Sequence, residues 1–287
     1  MTRFEEFIRE RRFLHNVSPA TVSWYTHALK WLPNESPTQA ELKEAVMRMR
    51  EKGLKATGCN AAIRAINAYL HWSSGSERKC GPGCTHPRIP QLKEPENILP
   101  TLSDADVQRI VKWKPSPKDF HERRLHLLAL VLLDCGCRIT EALTLRPADI
   151  DLENMLLTLD GKGGKQRVVP FSFVLRKAVY RYIADFGVRP EAYLFATREG
   201  NQVRRISALR SMKLLCERLG FEAPARTLHA FRHSFAVGYI RRGGSVFHLQ
   251  KVLGHSTLEM TRRYASLSTV DLQAAHERVS LLVQRKS

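Results

Sequence analysis

The sequence predicts a mainly α-helical protein of two domains with a small antiparallel β-sheet in the second. Three observations carry this. The first stretch, to about residue 75, repeats apolar side chains at helical spacing between capping residues. Residues 75–100 then crowd five prolines and several glycines together and lose that spacing. In the longer remainder, two short apolar runs flank a glycine-rich hairpin inside otherwise helical sequence. A length of 287 residues suits about two domains.

Taken in order, "VSPATVSWYTHALKWLP" opens a helix, with Ser18 as cap and Pro19 at the first helical position. Val22, Tyr25, Leu29 and Leu32 form its stripe. Thr38 and Glu41 are spaced as a capping box for the next helix, which Gly53 stops. A third helix runs through "NAAIRAINAYLHW". Past the proline-rich stretch, Ser103 and Asp106 suit a helix start, and "RRLHLLALVLLDCG" is apolar nearly all round, as a buried helix is. "MLLTL" and "QRVVPF" are expected strands joined by "DGKGGK". The segment 226–265 divides into three helices, stopped by Gly243–Gly244 and by Gly254, with Ser256 and Glu259 spaced to cap the third. The expected division is 1–90 for a helical domain, 91–100 for a linker and 101–287 for the second domain.

Charge narrows the function. Lys and Arg number 46 against 28 Asp and Glu, a formal net charge of +18. Residues 1–95 carry 15 basic and 9 acidic side chains and the remainder 31 and 19, so both parts are positive. A field of one sign over both domains favours a polyanionic partner, nucleic acid first. No apolar run reaches the length of a membrane span, and "MTRFEEFIRERRFLHN" lacks the apolar centre of a signal peptide, so a cytoplasmic protein with no membrane partner is expected. The six cysteines are then expected as thiols.

The candidate chemistry lies in two stretches and the hairpin between them. In "LHAFRHSFAVGYIRR", His229 and Arg232 share a helix face. His255 is placed just before a helix start, where backbone N–H groups favour an anion, and Tyr264 follows among Thr261, Arg262 and Arg263. Upstream, Arg138 follows the buried helix and a glycine, and Glu141, three residues on, can orient it. Lys162 rides the hairpin tip, with Lys165 as its rival in the same loop. Two guanidiniums can grip the nonbridging oxygens of a phosphodiester in bidentate fashion. Nearby cations favour a phenolate, a histidine can accept the phenolic proton, and a lysine can protonate a leaving sugar oxygen. No carboxylate cluster suited to Mg²⁺ accompanies these residues, so side chains are expected to do the charge work without cofactor. Arg204, Arg205, Arg210 and Lys213 form a basic helix suited to phosphate contacts. The pair His229 and His233 has zinc-protease spacing, but position 230 is alanine where that motif has its glutamate, so no metal is expected there. Cys80, Cys84 and His86 hold three candidate zinc ligands, with His71 or Cys59 as a fourth, at a spacing that fits no common zinc pattern.

Together "GCRITEALTLRPADID", "GKGGKQRVVPF" and "LHAFRHSFA … LGHSTLEMTRRYA" resemble the tyrosine recombinase, or phage integrase, family, and "TVSWYTHALKWL" resembles its core-binding domain more weakly. Cys135-Gly136-Cys137 stand where the family often has Thr-Gly before its first arginine. The resemblance implies a DNA-binding domain over 1–90 and a catalytic domain over 101–287. It implies Arg138, Lys162, His229, Arg232 and His255 as the catalytic set, Tyr264 as nucleophile and Glu141 in support. The implied reaction is site-specific strand exchange through a 3′-phosphotyrosyl bond and a Holliday junction, without ATP. The implied assembly is a homotetramer on two double-stranded DNA sites, alone or with accessory proteins. The helix "STVDLQAAHERVSLLVQ", with Val270, Leu272, Val279 and Leu282, would dock on the neighbouring protomer. A simple Xer- or Cre-like recombinase fits best. A type IB topoisomerase and a non-catalytic DNA-binding protein are the alternatives.

Overall fold

The computed structural model of the chain describes residues 1–75, 87–94, 99–161 and 166–265, the side chains of 263 and 265 excepted. It divides into two compact units, Met1–Asn97 and Ile98–Ser287.

The first unit holds four helices: α1 (Arg3–Phe13), α2 (Pro19–Leu29), α3 (Gln39–Glu51) and α4 (Ala56–Ser73). The caps at Ser18 and Thr38 act as the sequence predicts. Helix α1 has no counterpart in the sequence reading, because charged residues crowd its apolar ones. A reciprocal capping box starts it: Glu5 N–H donates to Thr2 Oγ1 at 3.1 Å and Thr2 N–H to Glu5 Oε2 at 2.8 Å. Its payload is Phe7, fully buried, with ring edges meeting Tyr25 at 5.0 Å and Tyr69 at 5.5 Å. Part of the expected linker is docked. Asn60 and Asn67, two turns apart on α4, each exchange a pair of hydrogen bonds with the backbone of Leu92 and Ile89, at 2.7–2.9 Å. Each amide stands in for the edge of a β-strand, and Ile89 is buried beneath it.

The second unit is built on α6 (Phe120–Cys135), preceded by α5 (Asp104–Lys112) and followed by the short α7 (Ile139–Thr144). Leu127 to Leu132 of α6 are buried without a break, as its unrelieved apolar sequence requires. A 3₁₀ turn at Pro147–Asp149 leads into the sheet of β1 (Ile150–Asp151), β2 (Leu156–Asp160) and β3 (Gln166–Pro170), antiparallel in the order β1-β2-β3. The two expected strands are present, with Leu157 opposite Val169, and the two-residue β1 adds an edge too short to show a period. Leu157, Leu159 and Val169 face the core that α6 fills. Then come α8 (Phe173–Phe186), α9 (Arg205–Arg218), α10 (Thr227–Arg241), α11 (Val246–Leu253) and α12 (Glu259–Ala265). Among the described residues no helix is long and apolar enough to cross a membrane.

Candidate active site

Gly136 makes the first corner. It caps α6 in the left-handed region at φ 58°, and a Cβ there would fall 2.1 Å from the ring of Phe235 on α10. The chain therefore passes close beneath α10 and delivers Arg138 at the start of α7. The Arg138 Nη1 donates to Glu141 Oε1 at 2.8 Å, its backbone N–H to Glu141 Oε2 at 2.7 Å, and its Nη2 reaches the Gly254 carbonyl at 3.4 Å. Glu141 is buried and holds a second arginine: Arg167 of β3 donates Nη1 and Nη2 to the two carboxylate oxygens at 2.9 and 2.7 Å. Burial pushes the Glu141 carboxyl up, but the hydrogen bonds from Arg167 and Arg138 prevail and hold it at about 2. Arg167 also gives its Nε to the Val252 carbonyl at 2.8 Å, so one side chain ties the sheet, α7 and the end of α11 together.

The second corner lies on α10. Arg232 is buried, and its nearest acceptors are neutral: Nη1 donates to the Gly136 carbonyl and Nη2 to the Leu253 carbonyl, both at 2.7 Å. Burial first, then the charge of Arg138, lowers its pKa to about 10, which leaves it protonated at neutral pH. Its Nη2 also lies 3.1 Å from His255 Nε2. A guanidinium only donates, so that nitrogen of His255 is the acceptor, and its Nδ1–H is left for Thr261 Oγ1 at 2.9 Å. Burial and then the charges of Arg232, Arg138 and Arg167 depress His255 to about 4, so the ring is neutral.

Tyr264 stands against this corner from α12. It is buried, its ring is nearly parallel to that of His255 at 6.2 Å, and its hydroxyl lies 2.9 Å from His233 Nδ1. His229, one turn before His233 on α10, lies exposed and stacks on it at 6.3 Å. Although the residue is exposed, partial desolvation of its ring, followed by the charges of Arg205, Arg226 and Arg232, lowers the pKa of His229.

Arg138, Glu141, Arg232, His255 and Tyr264 thus share one hydrogen-bonded and ring-stacked cluster, with His229 at its edge. One expectation fails in detail. Ser256 caps nothing, since α12 begins only at Glu259 and Ser256 Oγ points to Met260 Sδ at 3.9 Å. His255 therefore sits four residues ahead of a seven-residue helix, held by Arg232 and Thr261 rather than by a helix end. The structure adds Arg167 to the residues singled out from sequence and gives His233 and Thr261, named there only for zinc spacing and as a neighbour of Tyr264, contacts within the cluster. A basic residue in "QRVVPF" between strand positions was the available signal for Arg167. His233 was visible only through a zinc motif that position 230 breaks. Arg204, Arg205, Arg210 and Lys213 are all exposed on or beside α9, with Ala208, Met212 and Leu215 on the buried face. Lys162 and its rival Lys165 lie outside the described residues, as do Cys80, Cys84 and His86 and the segment from Ser266 that contains Val270, Leu272, Val279 and Leu282. Cys59, Cys135, Cys137 and Cys216 are buried free thiols; burial and then Glu141 push Cys137 up to about 12. Among the described residues no group of three or more His, Cys, Asp or Glu is placed to hold a metal ion.

Two fixed guanidiniums beside a buried phenol and two neutral imidazoles can bind a phosphate oxygen pair and offer it a nucleophile. Comparisons with known proteins agree with that chemistry. A model of the phage integrase family matches residues 100–270, more than half of the chain. The tyrosine recombinase XerA of Pyrococcus horikoshii is 27% identical over 274 residues, covering 94% of this chain and 90% of that protein. The tyrosine recombinase XerC of Rhizobium meliloti is 29% identical over 245 residues, covering 83% and 76%. The fold matches the structure of the Tn1549 transposon integrase in complex with transposon right-end DNA at a TM-score of 0.73, with 21% identity over 98% of this chain and 100% of that one.

Proposed function

The chain belongs to the phage integrase family and is a site-specific tyrosine recombinase, and from that premise we propose how its residues divide the work. Tyr264 is the nucleophile. Its phenolic oxygen attacks a DNA phosphodiester, forming a 3′-phosphotyrosyl bond as the bond to the 5′ oxygen breaks. A 5′-hydroxyl from the partner duplex then reverses the step on the new strand, so the ester preserves the bond energy and no nucleotide is consumed.

Arg138 and Arg232 grip the nonbridging oxygens and stabilise the charge that grows on phosphorus. Each is already held by other partners, so little motion remains to be frozen when the charge develops. His255, neutral and oriented by Thr261, steadies the Arg232 guanidinium beside the phosphate, and His229 lines the edge of the site. Lys162 supplies the proton to the departing 5′ oxygen, and Glu141 fixes Arg138. Arg204, Arg205, Arg210 and Lys213 follow the phosphate backbone, and residues 1–90 act as a second DNA-binding domain on double-stranded DNA. The working form is a homotetramer on two recombination sites in the cytoplasm, exchanging strands through a Holliday junction.

The observation that carries this reading is a buried tyrosine hydroxyl beside a histidine, within the electrostatic reach of a guanidinium whose hydrogen-bond acceptors, among the described residues, are carbonyls and a neutral imidazole. The test is to incubate purified protein with a randomised library of nicked duplexes and recover DNA that stays bound after denaturation. A covalent adduct from wild type, absent with Tyr264→Phe, is expected. The recovered sequences give the site. Two marked duplexes carrying it then report exchange as a four-way junction, whereas relaxation of supercoils without exchange would point to a topoisomerase.

A further inference from the structure

The reaction as proposed leaves one group unused. His233 touches the phenol, yet the family's pattern gives it no role in the readings above. We propose that His233 is the catalytic base that takes the proton from Tyr264, an inference that rests on Tyr264 being the nucleophile.

The three histidines near the phenol differ in what their nitrogens already do. His255 has both engaged: Nε2 accepts from Arg232 and Nδ1–H is directed to Thr261. To accept a phenolic proton it would have to release the guanidinium that binds the phosphate. His229 meets the ring of His233 at 6.3 Å rather than the hydroxyl. His233 alone of the three has a ring nitrogen, Nδ1, at 2.9 Å from Tyr264 Oη, within the reach a general base requires. With its proton on Nε2, His233 presents the Nδ1 lone pair to the Oη–H. It is half-buried, so a proton can leave toward solvent once received.

Helix α10 explains why one element can do both jobs. Arg232 and His233 are successive residues, so they point about 100° apart around the helix. One faces the Gly136 and Leu253 carbonyls and the other faces α12. The helix thus fixes the phosphate clamp and the base on one rigid body. The groups facing His233 include Tyr264 from α12, His255 from the segment before it, and His229 from its own helix, where Arg232 is its sequence neighbour. Neighbouring Arg232 favours the phenolate that transfer produces.

The step balances. The Tyr264 Oη–phosphorus bond forms while the phosphorus–5′ oxygen bond breaks. The phenolic proton goes to His233 Nδ1, and the leaving oxygen takes its proton from a separate donor. In the reverse step His233 returns the proton to the phenol.

The test is single-turnover adduct formation on the nicked duplex recovered as described above. Both His233→Ala and His233→Asn should slow the adduct by about a hundredfold or more while duplex binding is unchanged. Asparagine keeps a hydrogen-bonding atom near the Nδ1 position but cannot serve as a base. Added imidazoles should restore the alanine variant, the more so as the imidazole becomes more basic. A duplex with sulfur in place of the leaving 5′ oxygen, which needs no proton, should leave the defect in place. Wild-type cleavage by His233→Asn would overturn the proposal, making His233 a mere holder of the phenol. So would no recovery of a duplex-binding His233→Ala with imidazole, or repair of the defect by the sulfur substrate. Should His233→Ala fail to bind duplex, the asparagine variant and the sulfur substrate decide. A wild type that forms no adduct overturns the reading of Tyr264 itself, and the role of His233 with it.

Discussion

The two corners of the site hold the same kind of side chain by opposite means. At the α6–α7 corner, Arg138 and Arg167 share one buried carboxylate. At the α10–α12 corner, Arg232 is surrounded by carbonyls and a neutral imidazole. The first arrangement stabilises position by charge pairing in a place where either partner alone would be costly. The second solvates a cation with dipoles and leaves its charge uncancelled. A motif that names two arginines therefore describes two different physical objects.

Removing the carboxylate should break this contrast most severely. Glu141→Gln leaves two guanidiniums facing a neutral amide and should cost about 3 kcal/mol in chemical denaturation. Next comes Arg232→Lys, which keeps the charge but cannot reach both carbonyls. An orphaned carbonyl costs about 2 kcal/mol, and adduct formation should fall by about a hundredfold. Gly254→Ala, where the two corners meet, should cost about 1 kcal/mol. The residue sits at φ 63°, and the new methyl would lie 3.1 Å from Arg167. Acid sharpens the comparison with the smallest effect. The folded chain holds His255 at about 4 against an ordinary 6.5, so between those values the unfolded chain binds the proton and the folded one does not. Stability contributed by the neutral ring is complete above 6.5 and is lost as the pH falls toward 4. Glu141, held at about 2 against 4.5, gives up its contribution only below 4.5. Denaturation midpoints of wild type and His255→Gln should draw together as the pH falls from 6.5 toward 4, and those of Glu141→Gln should converge on wild type only in stronger acid.

Much of this was legible because it is local. Caps at Ser18, Thr38 and Ser103, and the unbroken apolar run of α6, are short-range signals with fixed spacing. The residues Arg138, Arg232, His255 and Tyr264 were legible as a set because each stands beside a helix boundary or on a stripe. What escaped depends on long-range pairing. Arg167 meets Glu141 across 26 residues, and His233 meets Tyr264 across 31, and no periodicity connects them. The docking of 89–92 onto α4 escaped for the same reason: a proline-rich stretch announces the lack of helix, but the two asparagines that receive it are ordinary residues in a helical run. Helix α1 was hidden by its own charge, since a single buried phenylalanine carries most of its anchoring.

The unequal treatment of the two corners sets a sum that neither sets alone. Three guanidiniums and one carboxylate, with His255 uncharged, leave this cluster of described residues two positive charges in excess at neutral pH. A phosphodiester brings one negative charge and would leave the cluster still cationic. A five-coordinate phosphorus carries two, so electroneutrality would arrive only at the top of the barrier, and the field would favour that species over both the bound strand and the finished ester.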